Sequence, residues 1–163
     1  MNNKELKNKG RTTVMANFDL WILLDQTRFA ISRSRELELA HFGLTLTQAG
    51  ILLFLENSGG EATLYEISKS TMKQHNSVST LIKRMIEHGL IKKVKNPGDN
   101  KIRVAITPKG KELYGKAPRS SIDMIFSSLS SEQKQELASC LKVLRKKSRN
   151  LLGVDYKPPF LQE

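Results

Sequence analysis

Ser77, Thr80 and Arg84 stand at i, i+3 and i+7, flanked by Asn76, Ser79 and Lys83. Val78, Leu81, Ile82 and Met85 keep the same helical spacing on the opposite side. A helix with this pattern buries one face. On the other it offers small hydroxyls and an amide near its start and long cations further along. Short polar side chains can approach base edges in a major groove, and long cations can reach phosphates. The free amides of the first turn also attract a phosphate. Alone, that outer face would read equally well as an ordinary solvated surface; its neighbours decide between the two.

Before this helix, Thr63-Leu-Tyr-Glu66 has the capping-box pattern, opening a short helix to about residue 70 that buries Leu64 and Ile67. After it, Gly89 suits a left-handed helix end. Two β-like runs follow, 91–95 and 102–107, around the turn Asn96-Pro-Gly-Asp-Asn100. Alternation puts Ile102, Val104 and Ile106 on the core and Lys101, Arg103 and Ala105 outside. From Thr63 to Lys111 there are eleven Lys and Arg against Glu66, Glu87 and Asp99, a net +8 of the chain's +11. Helix, turn, helix and basic hairpin with this charge form a positive surface suited to a polyphosphate partner. The hairpin cations Lys92, Lys93, Lys95, Lys101 and Arg103 suit an adjacent minor groove. Candidate double-stranded DNA contacts are Lys69, His75, Asn76, Ser77, Ser79, Thr80, Lys83, Arg84, Lys93, Lys101 and Arg103.

Other elements must hold this unit. Residues 14–40 read as a long helix with two apolar stripes, one of Val14, Phe18, Trp21, Ile22 and Phe29, the other of Leu20, Leu24 and Ile31. Two stripes need two things to pack against, its own core and another surface such as a second subunit. Thr45-Leu-Thr-Gln48 is a further capping box, and its helix stops at Asn57-Ser-Gly-Gly60. Pro108 opens a helix that Pro118 should break. Ser130-Ser-Glu-Gln133 caps a last helix with Leu137, Leu141, Leu144 and Leu151 on one side and a very basic face of Lys142, Arg145, Lys146, Lys147 and Arg149. Residues 1–12 read as a loose basic arm and 153–163 as a tail.

The chain has 163 residues, a hydrophobic fraction of 39% and one cysteine, Cys140. Internal disulfides are excluded and a cytoplasmic setting is expected. Apolar runs such as 20–24 and 50–55 are too short for a membrane span, and no apolar segment follows the N-terminal charges as a secretory signal requires. His41, His75 and His88 have no ligand partner at i+3 or i+4, so no metal site is expected; His88 reads as a cation at a helix C-terminus. No cofactor is implied, since Gly59-Gly60 lacks the Lys and spacing of a phosphate loop. No catalytic constellation is visible.

Gly43-Leu-Thr-Leu-Thr-Gln48 with Leu52, Leu64-Tyr-Glu-Ile-Ser68, the run from Val78 to Met85, Glu87-His-Gly-Leu-Ile91 and Ile106-Thr-Pro-Lys-Gly110 occur in an order that resembles the MarR family of bacterial transcriptional regulators. The resemblance runs over about residues 15–152. It implies a homodimer in which the first helix and the last two interlock above two winged lobes. It also implies a pseudo-palindromic operator, usually repressed, and a small aromatic or anionic effector bound between the two parts. The wing departs from the family pattern: Asp99-Asn-Lys-Ile-Arg103 is one residue short, so Lys101 or Arg103 could take the minor-groove role. Ala49-Gly50 stands where the family often has a bulky residue. The peroxide-sensing branch keeps its cysteine near the first helix, so Cys140 reads instead as a small buried apolar residue.

The expected architecture is mainly α with a small β-hairpin wing. Residues 13–46 and 108–152 would form a helical dimerisation region, and 47–107 the winged helix-turn-helix lobe. The expected function is a sequence-specific regulator, with a sequence-tolerant architectural DNA binder as the alternative. An effector site would draw on Trp21 for an apolar wall, Arg28 for a counter-ion and His41 for a hydrogen bond; for Trp21, burial in the core or a dimer interface is the competing reading.

Overall fold

The computed structural model describes residues 15–71, 75–95 and 101–154. Seven helices and three strands follow in the order α1 (Asn17–Ala40), α2 (Leu46–Asn57), β1 (Glu61–Thr63), α3 (Leu64–Thr71), α4 (His75–Glu87), β2 (Ile91–Val94), β3 (Arg103–Ile106), α5 (Pro108–Lys116), α6 (Ser120–Phe126) and α7 (Ser131–Leu151). The expected arm at 1–12, the turn at 96–100, the side chain of His75 and the tail from 155 onward lie outside the described residues.

All three capping boxes form. Thr45 Oγ1 accepts from Gln48 N at 3.2 Å while Thr45 N donates to Gln48 Oε1 at 2.9 Å. Thr63 and Glu66 do the same at 3.2 and 2.8 Å, and Ser130 and Gln133 at 3.2 and 2.9 Å. Each satisfies amides that the first helical turn leaves without a partner. Pro118 separates α5 from α6, as its missing N–H and fixed φ require.

The sheet is antiparallel in the order β1-β3-β2, so β3 is central. Strand β1 carries no periodic signal in the sequence. Its pairing is long-range, Glu61 opposite Ala105 and Thr63 opposite Arg103. Val104 and Ile106 are buried as expected, but Ile102 is 58% exposed. Ile102 precedes the first ladder pair of β3, so alternation on the sheet no longer governs it.

The core lies inside the winged lobe. Ile51, Leu52, Phe54 and Leu55 of α2, Ile67 of α3, Val78 and Met85 of α4, Ile91 of β2 and Val104 of β3 are all buried, together with Leu39 from the end of α1. Of the helices outside the lobe, α5 brings Tyr114 to this core, whereas most of α1 and α7 is different. Phe18, Leu20, Trp21, Leu24 and Phe29 of α1 and Leu137, Leu141, Leu144 and Leu151 of α7 are all exposed in the single chain. Cys140, expected to be buried, is exposed on α7 as well.

A polar clamp joins α1 to α6. Arg35 Nη1 donates to Glu38 Oε2 at 2.6 Å and to the carbonyl of Pro118. Ser121 donates to Glu38 through its amide at 3.2 Å and its hydroxyl at 2.5 Å. Glu38 therefore satisfies an amide of the first turn of α6 from another helix. The Ser121 hydroxyl, with help from Arg35, outweighs burial and holds the Glu38 carboxyl at about 2.

Candidate nucleic-acid interface

Helix α4 divides along the line its sequence drew. Val78, Ile82 and Met85 are buried, at 0%, 3% and 0% exposure. Asn76, Ser77, Thr80, Lys83 and Arg84 are exposed and Ser79 is half-buried at the flank. Thr80 Oγ1 donates to the Asn76 carbonyl at 3.2 Å. Its proton is thus directed back along the helix, leaving an acceptor oxygen and a methyl group outward, groups that suit an amino donor or a thymine methyl in a major groove.

Helix α3 packs against α4. Lys69 on it is half-buried, its Nζ 5.4 Å from the centre of the Tyr65 ring. Tyr65 is 62% exposed and was not singled out in the sequence, where it follows Leu64 with no pattern to mark it as exposed.

The wing leaves α4 through a lock that explains the two motifs bracketing it. Gly89 has φ +70° and passes the Leu90 amide back to the Met85 carbonyl at 2.9 Å. Thr107 Oγ1 donates at this turn, with the Gly89 and Leu90 carbonyls 2.7 and 3.0 Å away, and accepts from Gly110 N at 3.0 Å. Lys109 Nζ donates to the His88 carbonyl at 2.8 Å. A Cβ on Gly110 would lie 2.1 Å from the Leu90 oxygen, so only glycine fits. The lock sets where β2 and β3 begin and end relative to α4.

On the wing, Lys92, Lys93, Lys95 and Lys101 are exposed. Arg103 is half-buried, its Nη1 3.4 Å from Glu61 Oε1 on β1. The Glu66 carboxyl is held below its usual value, first by the Thr63 amide and also by the charges of Arg103 and Lys101. The exposed cations and the outer face of α4 belong to one compact lobe.

The three residues expected at an effector site do not come together. Trp21 is exposed and lies tilted on Phe18, ring centres 5.3 Å apart. Arg28 pairs with Asp25 at 3.0 Å, both exposed. Twenty residues of helix carry His41 roughly 30 Å from Trp21 and onto another face, where His41 Nδ1 donates to the Leu37 carbonyl at 2.8 Å. Trp21 and Arg28, two turns apart, share a face; a single small molecule cannot touch all three on one chain. The long helix expected over residues 14–40 already implied this separation, which grouping by residue type overlooked. Gly50 on α2 is exposed, with nothing within 4 Å of where a Cβ would be. Among the described residues no group of three His, Cys, Asp or Glu could hold a metal ion, and no described helix is long and apolar enough to cross a membrane.

The capped helix α3, the helix α4 that packs against it with a polar outer face, and a three-stranded wing define a winged helix-turn-helix protein. Residues 42–102, which hold the helix-turn-helix and the start of the wing, match the model of the MarR family. It is similar to the organohalide-sensing transcriptional regulator RdhR-CbdbA1625 in its 2,4-dichlorophenol-bound form, with 26% identity over 90% of this chain and 91% of that one and a TM-score of 0.75. AbsC, a MarR family regulator from Streptomyces coelicolor, shares the fold at 24% identity over 83% and 97% of the two chains, TM-score 0.76. A mutant MarR from E. coli complexed with operator DNA shares it at 17% identity over 77% and 93%, TM-score 0.71. No curated protein sequence matched the chain.

Proposed function

We propose that this chain is a MarR-family transcriptional regulator, a homodimer that represses by binding a pseudo-palindromic operator and is released by a small aromatic or anionic effector. The observation that carries the DNA reading is the division of α4: an apolar side with Val78, Ile82 and Met85 buried and Leu81 half-buried, and an exposed side of Asn76, Ser77, Thr80, Lys83 and Arg84. Asn76, Ser77, Ser79 and Thr80 approach base edges. Lys69, Lys83, Arg84 and Lys93 bind phosphate, joined by His75, and the wing reaches the neighbouring minor groove. A mutant MarR from E. coli was solved with operator DNA, which supports the same use of the shared fold.

The dimer is supported by the apolar faces of α1 and α7. Trp21, Phe29, Leu144 and Leu151 are 58%, 65%, 52% and 76% exposed. Large apolar side chains left exposed along both helices are what an interface would cover. Residues 13–46 and 108–152 form that dimerisation region and 47–107 the reading lobe. An aromatic effector is supported by the 26%-identical regulator solved with 2,4-dichlorophenol and by the exposed Trp21–Phe18 pair, with Arg28 two turns further along the same face.

Fluorescence anisotropy tests the reading. The duplexes are one tiling the DNA upstream of the chain's own coding region and a scrambled control, each at two salt concentrations. Binding to the first should be tighter by about a thousandfold and weaken steeply with salt. Chlorinated phenols are the first effectors to titrate into the complex. Weak, equal binding to both duplexes would favour the architectural reading, which the exposed Lys142, Lys146 and Lys147 of α7 would serve.

A further inference from the structure

We infer that the Arg35–Glu38–Ser121 clamp is a positioning device that sets how far apart the two half-sites of the operator must lie. The inference rests on the dimer and DNA-binding readings above and names what holds the two lobes at one separation. The chain crosses twice between the winged lobe and the helices outside it. It enters through Leu39 and Leu44 and leaves through Tyr114 and Ala117, all four buried in the lobe core. The clamp stands beside both crossings. Arg35 and Glu38 lie on the last two turns of α1, next to Leu39. Pro118 and Ser121 lie at the exit, on either side of the start of α6.

Neither crossing is stiff by itself. After α1 the chain turns at Gly43, with φ +64°. Between α5 and α6 it is extended at Ala117, and Arg119 gives α6 no side-chain cap. Short non-helical links of this kind are where packed units hinge. Glu38 supplies what α6 lacks. One carboxylate oxygen accepts the Ser121 amide at 3.2 Å; the other accepts the Ser121 hydroxyl at 2.5 Å and the Arg35 guanidinium at 2.6 Å. Arg35 also donates to the Pro118 carbonyl. The Arg35 and Glu38 side chains are 9% and 13% exposed, so water competes little for these charge-assisted bonds. A buried ion pair adds little net stability over apolar packing; its directional bonds fix an angle instead. The end of α1 and the start of α6 therefore form one bracket from which the lobe hangs. In the proposed dimer two such brackets hold the two α4 helices. One base pair more or less between half-sites moves a half-site by about 3.4 Å and turns it by about 35°, a change that only a loosened bracket can follow.

The test is anisotropy with the full chain on the upstream duplex that binds best, and on the same duplex with one base pair inserted or removed between its half-sites. The wild type should lose about a hundredfold on each altered spacing, as when the second of two linked contacts is lost. Glu38→Ala opens the clamp, and its penalty should shrink to about tenfold. The sharpest readout is a sign. Glu38→Ala should bind the altered duplexes more tightly than the wild type does, which a loss of folded protein cannot produce. Ser121→Ala removes one hydroxyl from a half-buried position and should move the same ratio in the same direction. Ser121→Thr keeps the hydroxyl and should keep the wild-type penalty. If Glu38→Ala does not fold, the two Ser121 variants decide. An unchanged penalty in Glu38→Ala and Ser121→Ala, or equal weakening on every duplex, overturns the inference. A wild type indifferent to spacing would be a different failure, that of the two-lobed dimer reading on which the inference rests.

Discussion

Arg84 and Gly110 show two ways a single residue serves this lobe. Arg84 is exposed near the end of α4, and Arg84→Ala should cost about 1–3 kcal/mol of operator binding. Anisotropy that shows no change would mean that α4 presents another face to the groove. Ser77→Ala and Thr80→Ala should instead narrow the ratio between operator and scrambled duplex, because base contacts specify and phosphate contacts position. Gly110 is not among the proposed DNA contacts, yet a side chain there would meet the Leu90 carbonyl. Gly110→Ala should destabilise the fold by about 1–3 kcal/mol, the usual cost of overpacking, read as a lower denaturant midpoint. Because the lock it interrupts joins β3 to the end of α4, the same variant should also weaken DNA binding more than its loss of stability explains. The motif Thr107-Pro-Lys-Gly110 was legible in the sequence as a family resemblance; its reason, a helix start pressed against the Leu90 carbonyl, was not, since that contact joins residues twenty apart.

At the scale of elements, the α1–α6 clamp makes stability depend on acidity. The Glu38 carboxyl lies at about 2 against an ordinary 4.5. The unfolded chain takes up this proton at a higher pH than the folded one. Its contribution is therefore complete above about pH 4.5 and is lost as pH falls through about 2. Glu38→Gln should remove that part of the acid dependence, so its stability measured by urea unfolding should change less than the wild type's between pH 5 and pH 3. Ser121→Ala should raise the Glu38 carboxyl most, since its hydroxyl is the largest cause of the shift. Helices proved legible because their signals are local: capping boxes at Thr45, Thr63 and Ser130, the Pro118 break, and the buried row of α4 can all be read within a few residues. Strand β1 and the Glu38 clamp were not, because each depends on partners about forty to eighty residues away. Ile102 was misplaced for a related reason: alternation predicts faces only where a strand is paired.

At the scale of the molecule, a small, well-filled lobe carries helices whose apolar sides face outward, and the proposed dimer rests on those sides. Burying Trp21, Phe29, Leu144 and their neighbours would remove several hundred Å² of apolar surface from water, the size of patch that marks an interface. Leu144→Asp should therefore yield a species near 18.4 kDa by sedimentation in place of one twice that mass. Its lobe should stay folded, because none of the lobe's core lies on α7. Operator affinity should nevertheless collapse, since a two-fold dimer gains from two half-sites about one helical turn apart, 10–10.5 base pairs. The same argument predicts the effect of changing the DNA rather than the protein. Inserting about five base pairs between the half-sites puts them on opposite faces of the duplex and should reduce wild-type binding to that of a single lobe. Inserting a full turn restores the face but lengthens the span, which a rigid dimer will not tolerate and two loosely tethered lobes will. Binding that survives both insertions, or a Leu144→Asp chain that binds as tightly as the wild type, would show that each lobe reads DNA alone and that the apolar faces of α1 and α7 serve some other contact.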